Sequence, residues 1–176
     1  MLRRLPALFR RFRREERGSV LVEMTLITPL MLAISAGVFE FGNLIHQKLL
    51  VEAGLRDGAR YASRCNSQMY TDYGLAAIDC AANAENIALY GNIAGTGTVR
   101  VPGLTAANIT IDIANPADCV NAVDGAGVTQ YRSVTPLVCI VRATSTFAYP
   151  GVGLLNFLGI GPITLNGVHE ERIIRF

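Results

Sequence analysis

Residues 19–42 read SVLVEMTLITPLMLAISAGVFEFG, and from Val20 to Phe39 the single formal charge is Glu23. Twenty residues of α-helix rise about 30 Å, the thickness of a bilayer's hydrocarbon core. No other part of the 176-residue chain is as long and as apolar, so the sequence predicts one membrane crossing. Immediately before it, residues 1–17 carry seven arginines and two glutamates. That tip is net +5 and the remainder −3, which together give the formal +2 of the whole chain. The positive-inside rule keeps the tip in the cytoplasm and sends the C-terminal body across the membrane. All four cysteines, Cys65, Cys80, Cys119 and Cys139, fall in that body. An even count suits an oxidising compartment. With 51% hydrophobic and 17% charged residues, the composition is that of a folded chain, not a disordered one. The near-neutral balance argues against a nucleic-acid binder.

Two kinds of N-terminal signal fit the tip and the apolar run. An ordinary secretory signal would be cut after the run, with Ala33-Ile34-Ser35 or Ser35-Ala36-Gly37 as the small-residue site. The product would be a soluble periplasmic binding module. Glu23 opposes this, because a charge inside an apolar span costs about 2.5–3.5 kcal/mol on insertion scales. The other signal is cut before the run. Arg17-Gly18-Ser19-Val20-Leu21-Val22-Glu23 resembles a type IV prepilin processing site, cleaved between Gly18 and Ser19. A glycine lets backbone enter a tight protease cleft. Cleavage there discards the basic tip and keeps the apolar helix.

The likeness extends through Leu26, Pro29-Leu30, Gly37, Glu40-Phe41-Gly42 and Gly58-Ala59-Arg60-Tyr61-Ala62. Over its first third the chain resembles the TadE-like family, the minor pilins or pseudopilins of the tight adherence (Flp pilus) machinery. Met24 departs from that pattern, which has an aromatic residue after the glutamate. The resemblance implies a pilin-like α+β protein that is not an enzyme and uses no cofactor. It implies a leader at 1–18, a long helix at 19–63 with its membrane part at about 20–42, and a periplasmic domain at 64–176. The implied location is a bacterial inner membrane, N-terminus in the cytoplasm, or a surface pilus. The implied partners are other minor pilins, the major Flp-type pilin, the prepilin peptidase and the inner-membrane assembly platform. Glu23 would pair with the new α-amine of a neighbouring subunit, since a buried carboxylate needs a cation. Snorkelling or protonation near the interface is the alternative for that carboxylate.

Pro29 lacks an N–H and predicts a kink in the helix. Glu40, near the far interface, is either a contact for a partner pilin or a solvated headgroup position. From Asn43 the pattern turns amphipathic. Leu44, Val51, Leu55, Ala59 and Ala62 form a helical stripe, with Glu52, Arg56, Arg60 and Arg64 on another face. Glu52 and Arg56 stand in a favourable i,i+4 order. Gly54 and Gly58 each weaken a helix by about 1 kcal/mol, which close packing of a neighbour would explain. That neighbour is either the chain's own body or a partner helix.

In the body, residues 75–90 predict a second helix stopped by Gly91. Residues 108–113 alternate as a half-buried strand, 115–127 form a loop, 137–147 a long strand, and 162–176 at least one more. A small antiparallel sheet packed on helix follows. Of the three possible cysteine connectivities, Cys65–Cys80 and Cys119–Cys139 tie neighbouring elements. The apolar segment 152–160 is either core beneath the sheet or an exposed patch for a partner or a membrane surface.

Signals for chemistry are thin. His169-Glu170-Glu171-Arg172-Ile173 lacks the second histidine of a zinc-protease helix, and His46 stands alone. Gly95-x-Gly97 and Gly159-x-Gly161 lack the third glycine of a dinucleotide loop. Asp118, Asn121 and Asp124 do not have calcium-loop spacing. No cysteine pair has metal-ligand spacing. A membrane-anchored periplasmic enzyme, the remaining rival, would need a nucleophile with its base, and none is legible.

Overall fold

In the computed structural model, residues 16–113, 115–130, 136–151, 153 and 159–174 are described, without the side chains of 16, 17 and 19. The chain is α+β. Helix α1, Glu16–Arg64, runs 49 residues without interruption through Pro29. It rises about 74 Å at 1.5 Å per residue. Among the described residues it is the one helix long and apolar enough to cross a membrane, and none of its most apolar window is buried. Leu21, Leu26, Leu30 and Leu32 are all more than 60% exposed.

The second half of α1 is the spine of the body. Val51, Leu55, Ala59 and Ala62 are buried, so the amphipathic stripe faces the core, with Leu44 packed at its margin. On the polar face Glu52 pairs with Lys48 at 3.6 Å. Among the described residues no ion pair joins it to Arg56.

A short helix α2, Ser67–Asp72, follows and is capped by Asn66. Helix α3, Cys80–Tyr90, is shorter than the predicted 75–90. Asp79 fixes its start by accepting the Ala82 N–H at 3.0 Å. Residues 75–78 are instead drawn back to α2, where the Ile78 N–H donates to Ser67 Oγ at 3.0 Å. Gly91 ends α3 in the left-handed conformation at φ 77°.

Four strands form one antiparallel sheet: β1, Ile109–Asp112; β2, Cys119–Asn121; β3, Leu137–Ala148; and β4, Thr164–Arg172. β3 is central and pairs with all three others. The expected 115–127 loop therefore contains β2, a three-residue strand in register with Cys119 opposite Cys139. Alternation sends Val141, Ala143, Ser145, Phe147, Leu165 and Gly167 to the face covered by α1 and α3. Of the apolar segment 152–160, residues 152 and 154–158 lie outside the described residues.

Close approach fixes the packing. A Cβ at Gly54 would meet the Ala88 carbonyl oxygen at 2.5 Å, and one at Gly58 would meet the Ala84 carbonyl oxygen at 2.8 Å. The two glycines thus seat α3 of the same chain, not a partner helix. On the other side, a Cβ at Gly167 would meet Leu55 Cδ1 at 2.7 Å. Both disulfides, Cys65–Cys80 and Cys119–Cys139, are formed.

Two substitutions separate these contacts. Gly54→Ala should lower the unfolding free energy by about 1–3 kcal/mol through overpacking. This outweighs the gain of about 1 kcal/mol in helix propensity, because the opposing atom is backbone. Gly167→Ala should cost less, because Leu55 Cδ1 can swing aside. Urea unfolding of the full chain in detergent, read by circular dichroism, distinguishes the two.

Candidate assembly surface

The candidate residues divide along α1 into a bare segment and a covered one. Gly18 and Glu23 lie on the bare segment and are exposed. Nothing lies within 4 Å of a Cβ built at Gly18. Among those residues no cation lies within ion-pair distance of Glu23. Its polar neighbours are satisfied within the helix. Thr25 Oγ1 donates to the Leu21 carbonyl and Thr28 Oγ1 to the Met24 carbonyl, each at 2.6 Å. Such back-bonding satisfies the hydroxyls without a partner outside the helix. Pro29 removes the N–H that would meet the Thr25 carbonyl, yet the helix continues across it.

The covered segment begins at Glu40, which is neither a solvated position nor open to a partner. It is 0% exposed, closed over by the turn that follows β3. A Cβ at Gly151 would meet Glu40 Oε1 at 2.7 Å and Tyr149 Cε1 at 3.2 Å, so a side chain there would have to displace the carboxylate. Gly151 also holds φ 55°, a conformation glycine adopts without strain. Tyr149 ties the turn to the helix. Its hydroxyl donates to the Glu40 carbonyl at 3.3 Å and accepts from Asn43 Nδ2 at 2.9 Å. Burial pushes the Tyr149 hydroxyl above its ordinary pKa of 10.0. The Glu40 carboxylate adds to that rise, and the Asn43 donor opposes it. A pocket of about 290 Å³ opens here between Glu40, Tyr149, Gly151, Gly161 and Pro162.

The other end of the body lies beside the end of α1. The Ile174 N–H donates to the Ser63 carbonyl at 2.9 Å, and the Ile173 N–H to the Cys139 carbonyl at 2.9 Å. The β3–β4 hairpin therefore runs along the helix from Glu40 to Ser63, about 35 Å of helix rise. This far pole carries both disulfides and a cleft of about 570 Å³. Arg60, Tyr61, Arg64, Tyr70 and Ile174 line the cleft. Within Gly58-Ala59-Arg60-Tyr61-Ala62, Gly58 seats α3, Ala59 and Ala62 are core, and Arg60 faces the cleft. Tyr61 accepts from Asn83 Nδ2 at 3.2 Å.

The acids that spacing excluded as a calcium loop have other tasks. Asp118 pairs with Arg142 at 3.2 Å, and Arg142 reaches Glu170 at 2.8 Å. Asp124 Oδ1 accepts the N–H groups of Ala126 and Val128, each at 2.9 Å. His169 stands 3.5 Å from Glu171. Among the described residues no group of three metal-ligating side chains occurs. The Tyr149–Asn43–Glu40 junction had no sequence signal beyond a glutamate at the edge of an apolar run, because its partner lies 109 residues away.

Residues 18–60 match the family model described as TadE-like protein. The match covers α1 from Gly18 to Arg60 and none of the sheet. No curated protein and no solved structure matches the chain.

Tyr149→Phe removes the junction's hydroxyl and should destabilise the body by about 1–3 kcal/mol, the cost of orphaned buried partners. A raised folded-state pKa places the stability below the unfolded value and loses it as pH climbs through the folded one. Wild-type stability should therefore fall once pH passes 10.0, and Tyr149→Phe should lack that part of the fall. Urea midpoints from pH 7 to 11 test both expectations.

Proposed function

We propose that the chain is a minor pilin of a tight adherence (Flp pilus) system. On this reading it is made with a cytoplasmic leader, cut between Gly18 and Ser19 by a prepilin peptidase, and held in the inner membrane by α1. It then assembles with other minor pilins and the major Flp-type pilin at the inner-membrane assembly platform, where it starts or caps a pilus. It acts by contact and catalyses nothing.

The observation that carries this is the placement of Gly18 and Glu23 on a bare apolar helix that the TadE-like match covers almost entirely. An exposed helix of this composition needs either lipid or other apolar helices around it. A bundle of pilin helices supplies the second when a subunit leaves the first. Glu23 then finds its cation in the α-amine of a neighbouring Ser19, which removes the penalty of an uncompensated charge in an apolar medium. The body is free to present its disulfide-bearing pole to partners, because its own core is completed by the second half of α1.

Mass spectrometry of the mature chain tests the reading. A chain beginning at Ser19 is expected. A start near Ala36 would instead mark an ordinary secretory signal and a soluble periplasmic protein. Gly18→Val should leave the leader attached. Glu23→Val should be processed normally but should fail to co-purify with the other pilins.

A further inference from the structure

We propose that the body rests directly on the bilayer, with the lower end of its β3–β4 hairpin forming a lipid-facing collar around the exit of α1. This deepens the preceding reading and rests on residues 20–39 spanning a membrane. The apolar run ends at Phe39, and the next residue, Glu40, is already sealed beneath Tyr149 and Gly151. No stalk separates span from body. A span of about 20 residues fills the hydrocarbon, so the seal lies at its edge.

The surface at that level is suited to lipid. The described residues from Ala143 to Val168 include no Asp, Glu, Lys or Arg. The hairpin's charges begin only farther up, at Arg142, Glu170, Glu171 and Arg172. Pro150, Ile160 and Pro162 are exposed at the lower end and carry no polar side chain. On α1 the exposed apolar surface does not stop at the seal. Phe41 and Ile45 are 46% and 56% exposed, the exposed His46 follows, and the first exposed acid, lysine or arginine above the seal is Lys48. Helix and hairpin thus share a band without Asp, Glu, Lys or Arg, in which Phe41, Ile45, Pro150, Ile160 and Pro162 are joined by neutral polar side chains such as Thr146, Thr164 and Asn166. Aromatic and apolar side chains at this level favour the interface between headgroups and acyl chains. Tyr149 and Gly151 then shield Glu40 from lipid, which explains a buried carboxylate at the edge of a membrane helix.

The chain contains no tryptophan, so single tryptophans report position cleanly. The full-length chain would be reconstituted in phosphatidylcholine–phosphatidylglycerol vesicles containing brominated lipids. Leu30→Trp marks mid-span, Ile160→Trp the collar, and Val120→Trp the far pole, where Val120 is 65% exposed. Ile160→Trp is expected to emit at shorter wavelength than Val120→Trp and to lose at least half its emission to bromines placed near the headgroups. Leu30→Trp should be quenched by deep bromines, and Val120→Trp by neither. Quenching of Leu30→Trp with water-like, unquenched Ile160→Trp would overturn the collar and leave the span intact. An unquenched Leu30→Trp would overturn both. If Ile160→Trp misfolds by circular dichroism, Pro162→Trp on the same surface decides between the same outcomes.

Discussion

One unbroken helix must satisfy two solvents. Below Glu40, α1 presents apolar side chains on every face, which suits lipid or a bundle of like helices. Above it, the same helix gives one stripe to the protein's own core. The helix is continuous between these regimes, so the body is built around its continuation beyond the apolar run. The sheet, α3 and the hairpin turn are all positioned by that axis.

The close contacts follow from this. A sheet and a second helix laid on one rod need flat, small surfaces where they touch it. Gly54 and Gly58 supply one such surface and admit backbone atoms of Ala84 and Ala88. Ser145 and Gly167, opposite each other in the β3–β4 register, supply the other and admit Leu55 and Val51. Larger side chains then fill the ends of the sheet, with Phe147 and Leu165 towards Glu40 and Val141 towards Ser63. The two disulfides sit at the end far from Glu40. There the elements are short and β2 has only three residues, so packing alone gives least support.

Much of this is legible along the chain. The stripe Val51, Leu55, Ala59 and Ala62 reads as a buried face because helical periodicity is local. The alternation in β1 reads as a strand for the same reason. The start of α3 was legible too, since an aspartate before an alanine-rich run is a cap, but the helical composition of residues 75–78 masks it. Gly54 and Gly58 signal close packing without naming the neighbour, because a missing Cβ carries no record of what fills its place. Gly167 and Gly151 give no signal at all, each being one glycine among seventeen.

By itself the sequence determined the apolar span, its basic flank, the Gly18–Glu23 motif and the α+β composition of the body. All of these depend on residues within a few turns of one another. The tertiary structure alone decided that Glu40 is sealed beneath Tyr149, that α3 occupies the glycine seam, and that the charge-free end of the hairpin stands where the helix leaves the apolar run. Each depends on surfaces brought together from distant parts of the chain. Whether a polar side chain meets water, lipid or a hydroxyl is settled by what packs over it, and no local pattern encodes that.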